Sequence, residues 1–307
     1  MDIIIPTIDN VRSATLIEYL LINETNVLCV GATGSGKTST VSAKLSRNMP
    51  KKYICDFMTF SARTTAHETQ DLIDAKLDKR RRGIYGPPIL KKQIFFIDDL
   101  NMPALDTYGA QPPIELIRQF MDFSGWYDKT EIGSFRLIED VTFVAAMRPP
   151  GGGRNPITAR LLRHFHIIAF PEMENDAQYH IFKTILDSWL SNTPELYNLL
   201  DDVVDSTLKV FTIIRSEMLP IPNKSHYTFN LRDLSKVFQG ILMADARKIL
   251  MRRILLDVLN NYNDLTTSPM QLVLFEDAIS HICRITRILR QPGGNALLLG
   301  MSGSGTL

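Results

Sequence analysis

The chain has 307 residues, 45% of them hydrophobic, and a formal net charge of +1. That length and apolar content suit two or three compact units with sizeable cores. The near-neutral charge gives no electrostatic argument for nucleic acid or a membrane surface as partner, and no apolar run is long enough to span a bilayer.

Met1-Asp2-Ile3-Ile4-Ile5-Pro6 lacks a charged n-region and a long apolar stretch, so it does not read as a secretory signal. Residues 9–21 have helical apolar spacing at Val11, Ala14, Leu16, Ile17 and Leu20. Asn26-Val27-Leu28-Cys29-Val30 then reads as a short buried strand. It runs into Gly31, Ala32, Thr33, Gly34, Ser35, Gly36, Lys37 and Thr38, the pattern G-x-x-x-x-G-K-[ST] of a phosphate-binding P-loop. A helix over 39–45 completes the strand–loop–helix context. The glycines turn backbone N–H groups toward an anion, and the helix N-terminus adds its dipole. In this reading Lys37 reaches the β- and γ-phosphates and Thr38 offers its hydroxyl to Mg²⁺.

Residues 52–60 are apolar enough for a second strand. Residues 64–82 read as a polar helix ending in the basic run Lys79-Arg80-Arg81-Arg82, a solvated end whose cations suit the helix dipole. Gln93-Ile94-Phe95-Phe96-Ile97-Asp98-Asp99 is a third strand closed by two acids. This fits the element that complements a P-loop, with Asp98 holding the metal and Asp99 standing where a water-activating carboxylate is expected. Such acids face the ligand if their strand lies next to the P-loop strand, since ligands bind at the carboxyl ends of these sheets. A helix over 112–123 with proline near its start, a hairpin over 126–137 around Gly133-Ser134, and a strand over 141–147 follow. The loop 148–154, a short helix over 158–163 and a strand over 165–170 complete the pattern. Strands alternating with helices imply a covered parallel sheet.

Beyond Pro171 only helical periodicity remains, over 175–190, 196–218 and 231–260, with a break at Leu219-Pro220-Ile221-Pro222. Arg160 and Arg163, before the fifth strand, and Arg232, opening a helix of the second unit, are candidates to stabilise phosphoryl charge. Cys29, Cys55 and Cys283 have no C-x-x-C spacing and read as reduced thiols of a cytosolic protein. The six histidines form no metal-ligand cluster. At the end, Asn295 to Leu307 repeats the strand and glycine loop of Asn26 to Thr38, with Thr306 where lysine would sit.

The stretches Ile94-Phe95-Phe96-Ile97-Asp98-Asp99-Leu100-Asn101-Met102-Pro103, Tyr108-Gly109-Ala110-Gln111-Pro112-Pro113, Gly125-Trp126-Tyr127-Asp128 and Pro149-Pro150-Gly151-Gly152-Gly153-Arg154-Asn155 resemble dynein heavy chain of the axonemal kind. The similarity runs over residues 1–246 and again over roughly 251–307, and it is to the third AAA+ module of the motor ring. It implies an α/β P-loop NTPase of AAA+ type, a five-stranded parallel sheet followed by a helical lid. Domain boundaries follow as 1–172 for the nucleotide-binding unit, 173–290 for lid and linker helices, and 291–307 for the start of a fourth module.

The resemblance also implies ATP or ADP with Mg²⁺, Ile5, Thr7 and Arg12 near the adenine, and Arg148 at the sensor-1 position. Arg160 or Arg163 would be an arginine finger for a neighbouring module, and Arg232 sensor 2. The implied partners are neighbouring AAA+ modules. Intermediate and light chains and microtubules enter only through a full-length, minus-end-directed motor, and the implied location is the cytoplasm, cytoskeleton and ciliary or flagellar axoneme. Three departures stand out: Asp99 replaces a glutamate, Arg148 replaces an asparagine, and the join after Ala246 is short of lid residues. The competing reading from another class is a scaffold module that binds nucleotide for shape and turns over little. A P-loop kinase is a third, without an acceptor-site signature.

Overall fold

In the computed structural model the described residues are 4–131, 133–151, 153–191, 194–219, 221, 227–243, 251–265, 276–291 and 293–297. The chain divides into two compact units, Met1–Ile181 and Phe182–Leu307.

The first unit is built on five parallel strands: β1 (Asn26–Gly31), β2 (Tyr53–Thr59), β5 (Lys92–Asp98), β8 (Val141–Met147) and β9 (Phe165–Phe170). They lie in the order β2-β5-β8-β1-β9. The acid-tipped strand β5 is therefore not next to β1, as its role suggested. β8 lies between them, in register with both. Strict alternation decides which side chain goes where. Leu28, Phe95, Ile97, Phe143, Ala145 and Met147 face one way, toward α3 (Ala66–Asp74), α4 (Pro112–Phe123) and α5 (Ala159–Leu162). Val27, Cys29, Ile94, Phe96, Val144 and Ala146 face the other way, toward α1 (Ile8–Ile22) and α2 (Lys37–Arg47). Each fully buried aliphatic or aromatic side chain contributes about 1.5–3 kcal/mol.

A second, four-stranded sheet lies in the same unit: β3 (Asp78–Arg81), β4 (Ile84–Gly86), β7 (Phe135–Ile138) and β6 (Gly125–Tyr127), in that spatial order. The β6–β7 hairpin matches the alternation around Gly133. The basic run does not end a helix. α3 stops at Asp74, and Asp78–Arg81 pairs antiparallel with β4 through a turn at Gly83, whose φ is +76°. Tertiary pairing overrides the local helical pattern: the Arg80 guanidinium donates to the Pro87 carbonyl (3.1 and 3.0 Å) and to Asp140 (2.5 Å).

α6 (Asn175–Leu190) leads into the second unit, where a 3-10 segment (Pro194–Leu199) precedes α7 (Leu200–Glu217), α8 (Leu231–Leu242), α9 (Met251–Leu265) and α10 (Glu276–Leu289). Phe182 and Phe238 stack at 4.2 Å, with Leu186, Leu190, Leu200, Val204 and Leu234 buried in this unit. The periodicity over 231–260 is two helices; α8 closes with Met243 as its cap. The join after Ala246, residues 220 and 222 of the break and the second glycine loop from 300 onward lie outside the described residues. Among the described residues no helix is long and apolar enough to cross a membrane. All three cysteines are free, and burial pushes the Cys29 thiol up to about 12 and Cys55 to about 11.

Candidate nucleotide-binding site

The glycine loop leaves β1 at Gly31, where a Cβ would lie 2.3 Å from the Phe170 carbonyl oxygen of the neighbouring strand. It closes at Gly36, which caps α2 with φ +80°. The first turn of α1 lies against this cap, a Cβ on Gly36 falling 3.6 Å from Asn10 Oδ1. Thr7 is buried and its hydroxyl accepts from Asn10 N (3.4 Å), fixing the start of α1. Ile5 is half-buried just before it, whereas Arg12 is exposed and pairs with Asp9.

Lys37 is buried, and its ammonium donates to Gly31 O (2.8 Å), Ala32 O (2.7 Å) and Ser35 Oγ (3.3 Å). Burial lowers its pKa; Asp98 opposes that shift, and Arg148 adds to it. A partly desolvated cation cradled by a glycine loop is suited to meet polyphosphate. Thr38 Oγ1, in the first turn of α2, donates to Asp98 Oδ2 at 2.9 Å, so the two oxygens proposed for the metal meet although β1, which leads into the loop, and β5 are not adjacent. A hydroxyl and a carboxylate are the hard oxygen donors that Mg²⁺ takes, with water and phosphate completing its shell. Among the described residues no group of three or more His, Cys, Asp or Glu could hold a metal.

Asp99 follows in the left-handed region, with φ +56° and its N–H on Asp98 Oδ1 (3.0 Å). Its own Oδ1 accepts from Arg154 Nη2 at 3.1 Å. Arg148 Nη1 donates to Thr33 Oγ1 at 2.6 Å, bringing a second cation to the glycine loop. Asn101, fully buried, donates to the Arg148 carbonyl (2.9 Å) and ties the loop after β5 to the loop after β8. Sequence reasoning did not assign Arg154 or Asn101. Their signal was the stretch Gly151-Gly152-Gly153-Arg154-Asn155, whose partners cannot be read from order alone.

Arg160 and Arg163 make no hydrogen bond to this loop among the described residues. Arg163 is exposed and donates to Asp122 of α4, which also takes Arg118 and contacts the His164 ring. Arg160 is exposed and has no partner among the described residues. Arg232 is exposed in the first turn of α8, in the second unit, behind an Asn230–Asp233 capping box.

A parallel five-stranded sheet with a P-loop on β1 and an acid pair on β5, followed along the chain by a helical unit, defines a P-loop NTPase fold of AAA+ type. Residues 1–173 match the family model of the P-loop containing dynein motor region, residues 203–267 that of the AAA+ lid domain, and residues 270–307 that of the P-loop containing dynein motor region D4. Over 99% of its length the chain is 43% identical to human (Homo sapiens) dynein axonemal heavy chain 1, covering 9% of that protein. It is 44% identical to the mouse (Mus musculus) form, again over 9% of it. It is 34% identical to rat (Rattus norvegicus) dynein axonemal heavy chain 12, covering 13% of that protein. The chain belongs to the dynein heavy chain family and is part of its nucleotide-binding motor region. It spans about a tenth of these relatives. The human alignment runs over 394 positions against a chain of 307 residues, so the relative carries at least 87 residues, the difference, that have no counterpart here.

Proposed function

We propose that this chain is the third AAA+ module of an axonemal dynein heavy chain with the beginning of the fourth, and that it binds ATP or ADP with Mg²⁺ as a regulatory site. The observation that carries this is the pairing of a cradled Lys37 with a Thr38–Asp98 contact in a dynein-family sheet. The D4 match at residues 270–307, following the lid, supports the assignment of module order. Thr38 and Asp98 would hold Mg²⁺, which would supply charge neutralisation at the phosphates. Lys37 and Arg148 bind and orient the polyphosphate. Ile5 and Thr7 border the adenine. Asp99 orients the attacking water. Arg160 or Arg163 serves the nucleotide of the adjacent module, and Arg232 acts as sensor 2 on this one.

In the full-length motor, nucleotide at this site tunes the coupling between the main ATPase and microtubule binding, and so contributes to minus-end-directed movement in the axoneme of a cilium or flagellum. Neighbouring modules are the direct partners. Intermediate and light chains and microtubules connect through the rest of the heavy chain. A nucleotide-binding scaffold with little turnover is the second reading, favoured by one observation: Asp99 is engaged by Arg154.

Calorimetry tests the assignment. Lys37→Ala removes charge-assisted hydrogen bonds of about 1.5–3 kcal/mol, so ATP affinity should fall by about 10- to 150-fold. Unchanged affinity rejects the site. Turnover by the purified chain should lie far below the enzyme median of about 10 s⁻¹, because a finger supplied by a neighbour is worth about 10³–10⁵ in rate. The chain should not co-sediment with microtubules at physiological salt.

A further inference from the structure

Arg154 is the least accounted-for charge in the first unit. Its side chain is 10% exposed, and its Nε is buried without a hydrogen-bond partner. A buried guanidinium left partly unsatisfied is costly, and an apolar side chain there would avoid that cost. Yet the backbone is shaped to deliver it. Gly151 and Gly153 hold φ +119° and +80°, and Gly151 and Arg154 exchange two backbone hydrogen bonds of 3.2 Å. Asn155 then fastens the loop to the stretch after β5, its N–H on Asn101 O (3.2 Å) and its amide on Pro103 O (2.8 Å). The guanidinium ends on Met102 Sδ and on Asp99 Oδ1.

We infer that Arg154 is a positioning residue that restrains Asp99, so that this ion pair limits hydrolysis at the module's own site. The inference rests on the reading of Asp99 as the water-orienting acid. A carboxylate oxygen committed to a guanidinium is a weaker acceptor for a water proton. With Oδ1 held by Arg154, aspartate, one methylene shorter than glutamate, has only Oδ2 left for a water and less reach to place it. The left-handed backbone at Asp99 fixes the side chain's origin and leaves the ion pair to decide its direction. The site thus binds nucleotide through Lys37, Thr38 and Asp98, which Arg154 does not touch, while the acid that would use the water is held back.

The test uses the 307-residue chain with MgATP and four variants: Arg154→Met, Arg154→Lys, Asp99→Asn and the Arg154→Met/Asp99→Asn double. Single-turnover hydrolysis should rise about threefold or more in Arg154→Met, at unchanged ADP affinity, with Arg154→Lys nearer the parent. In the Asp99→Asn background Arg154→Met should change nothing. Thermal melts without nucleotide provide a second readout: the two substitutions should be non-additive, the double melting no lower than the worse single. An unchanged or lower rate in Arg154→Met, or additive melting shifts, overturns the inference. If Arg154→Met does not fold, Arg154→Gln takes its place with the same expectations. Failure of the parent chain to bind MgATP would overturn the nucleotide-site reading instead, and the melts would still decide the ion pair.

Discussion

Strands β1, β5 and β8 leave no residue exposed between two layers of helices, whereas β3 exposes three of its four residues, and its sheet leans on arginines. In the five-stranded sheet Phe143 is fully buried, packed on Phe95 (5.8 Å) and Phe120 (5.2 Å). In the four-stranded sheet Arg136 reaches Asp74 (3.1 Å) and Asp128 (2.6 Å) and lies 4.8 Å from the centre of the Tyr85 ring. Apolar contact gives a rigid platform that salt does not touch. Charge pairing gives a smaller, polar appendage whose stability depends on solution conditions. The nucleotide loop is mounted on the first kind of sheet, where a displacement of β1 or β8 would disturb several buried layers at once.

The sharpest break of this contrast is Phe143→Ala. A large-to-small change at a fully buried aromatic costs about 3–5 kcal/mol, measurable by urea unfolding and insensitive to salt. Arg136→Met should cost less, about 1.5–3 kcal/mol for charge-assisted hydrogen bonds. It leaves Asp74 and Asp128 without their shared cation, so Asp74, already pushed up by burial, should titrate higher still. A larger loss in Arg136→Met than in Phe143→Ala would reverse the ranking of the two sheets. Arg80→Met, at the edge strand, should cost about 1 kcal/mol.

The smallest effect is a pH dependence. Hydrogen bonds from the Thr130 side chain and backbone, aided by Arg136, hold Asp128 well below the usual carboxylate range. A depressed folded value means that the group's contribution is complete above the unfolded carboxylate pKa of about 3.9 and is lost as pH falls through the folded one. The stability gap between the parent and Asp128→Asn should therefore be full above about pH 4.5 and narrow on acidification.

The same contrast explains what could be read in advance. Ile94 to Ile97 and Val141 to Met147 are continuous apolar runs because both faces are covered, so these strands were legible, as was the P-loop, whose chemistry is local. Asp78 to Arg81 carries only charged side chains, and its strand state depends on Asp140 and the Pro87 carbonyl, which lie beyond its own local sequence. Likewise the Thr38–Asp98 meeting was foreseeable from the motif pair, but β8 lying between β1 and β5 was not. The Arg154–Asp99 contact spans 55 positions and has no periodicity to betray it.

The seat of the P-loop strand carries a consequence for synthesis. β1 is made before both of its hydrogen-bonded neighbours, β8 and β9: Val27 stands opposite Val144 on one side and His166 on the other. Until residue 170 has left the ribosome, β1 lacks β9 along one edge, and the close approach of Gly31 to Phe170 cannot form. Nucleotide therefore cannot template this unit while it is being translated. The emerging chain must carry the apolar residues Val27, Leu28 and Cys29 unpaired until β8 (Val141–Met147) follows, the situation in which nascent strands seek chaperones or wrong partners.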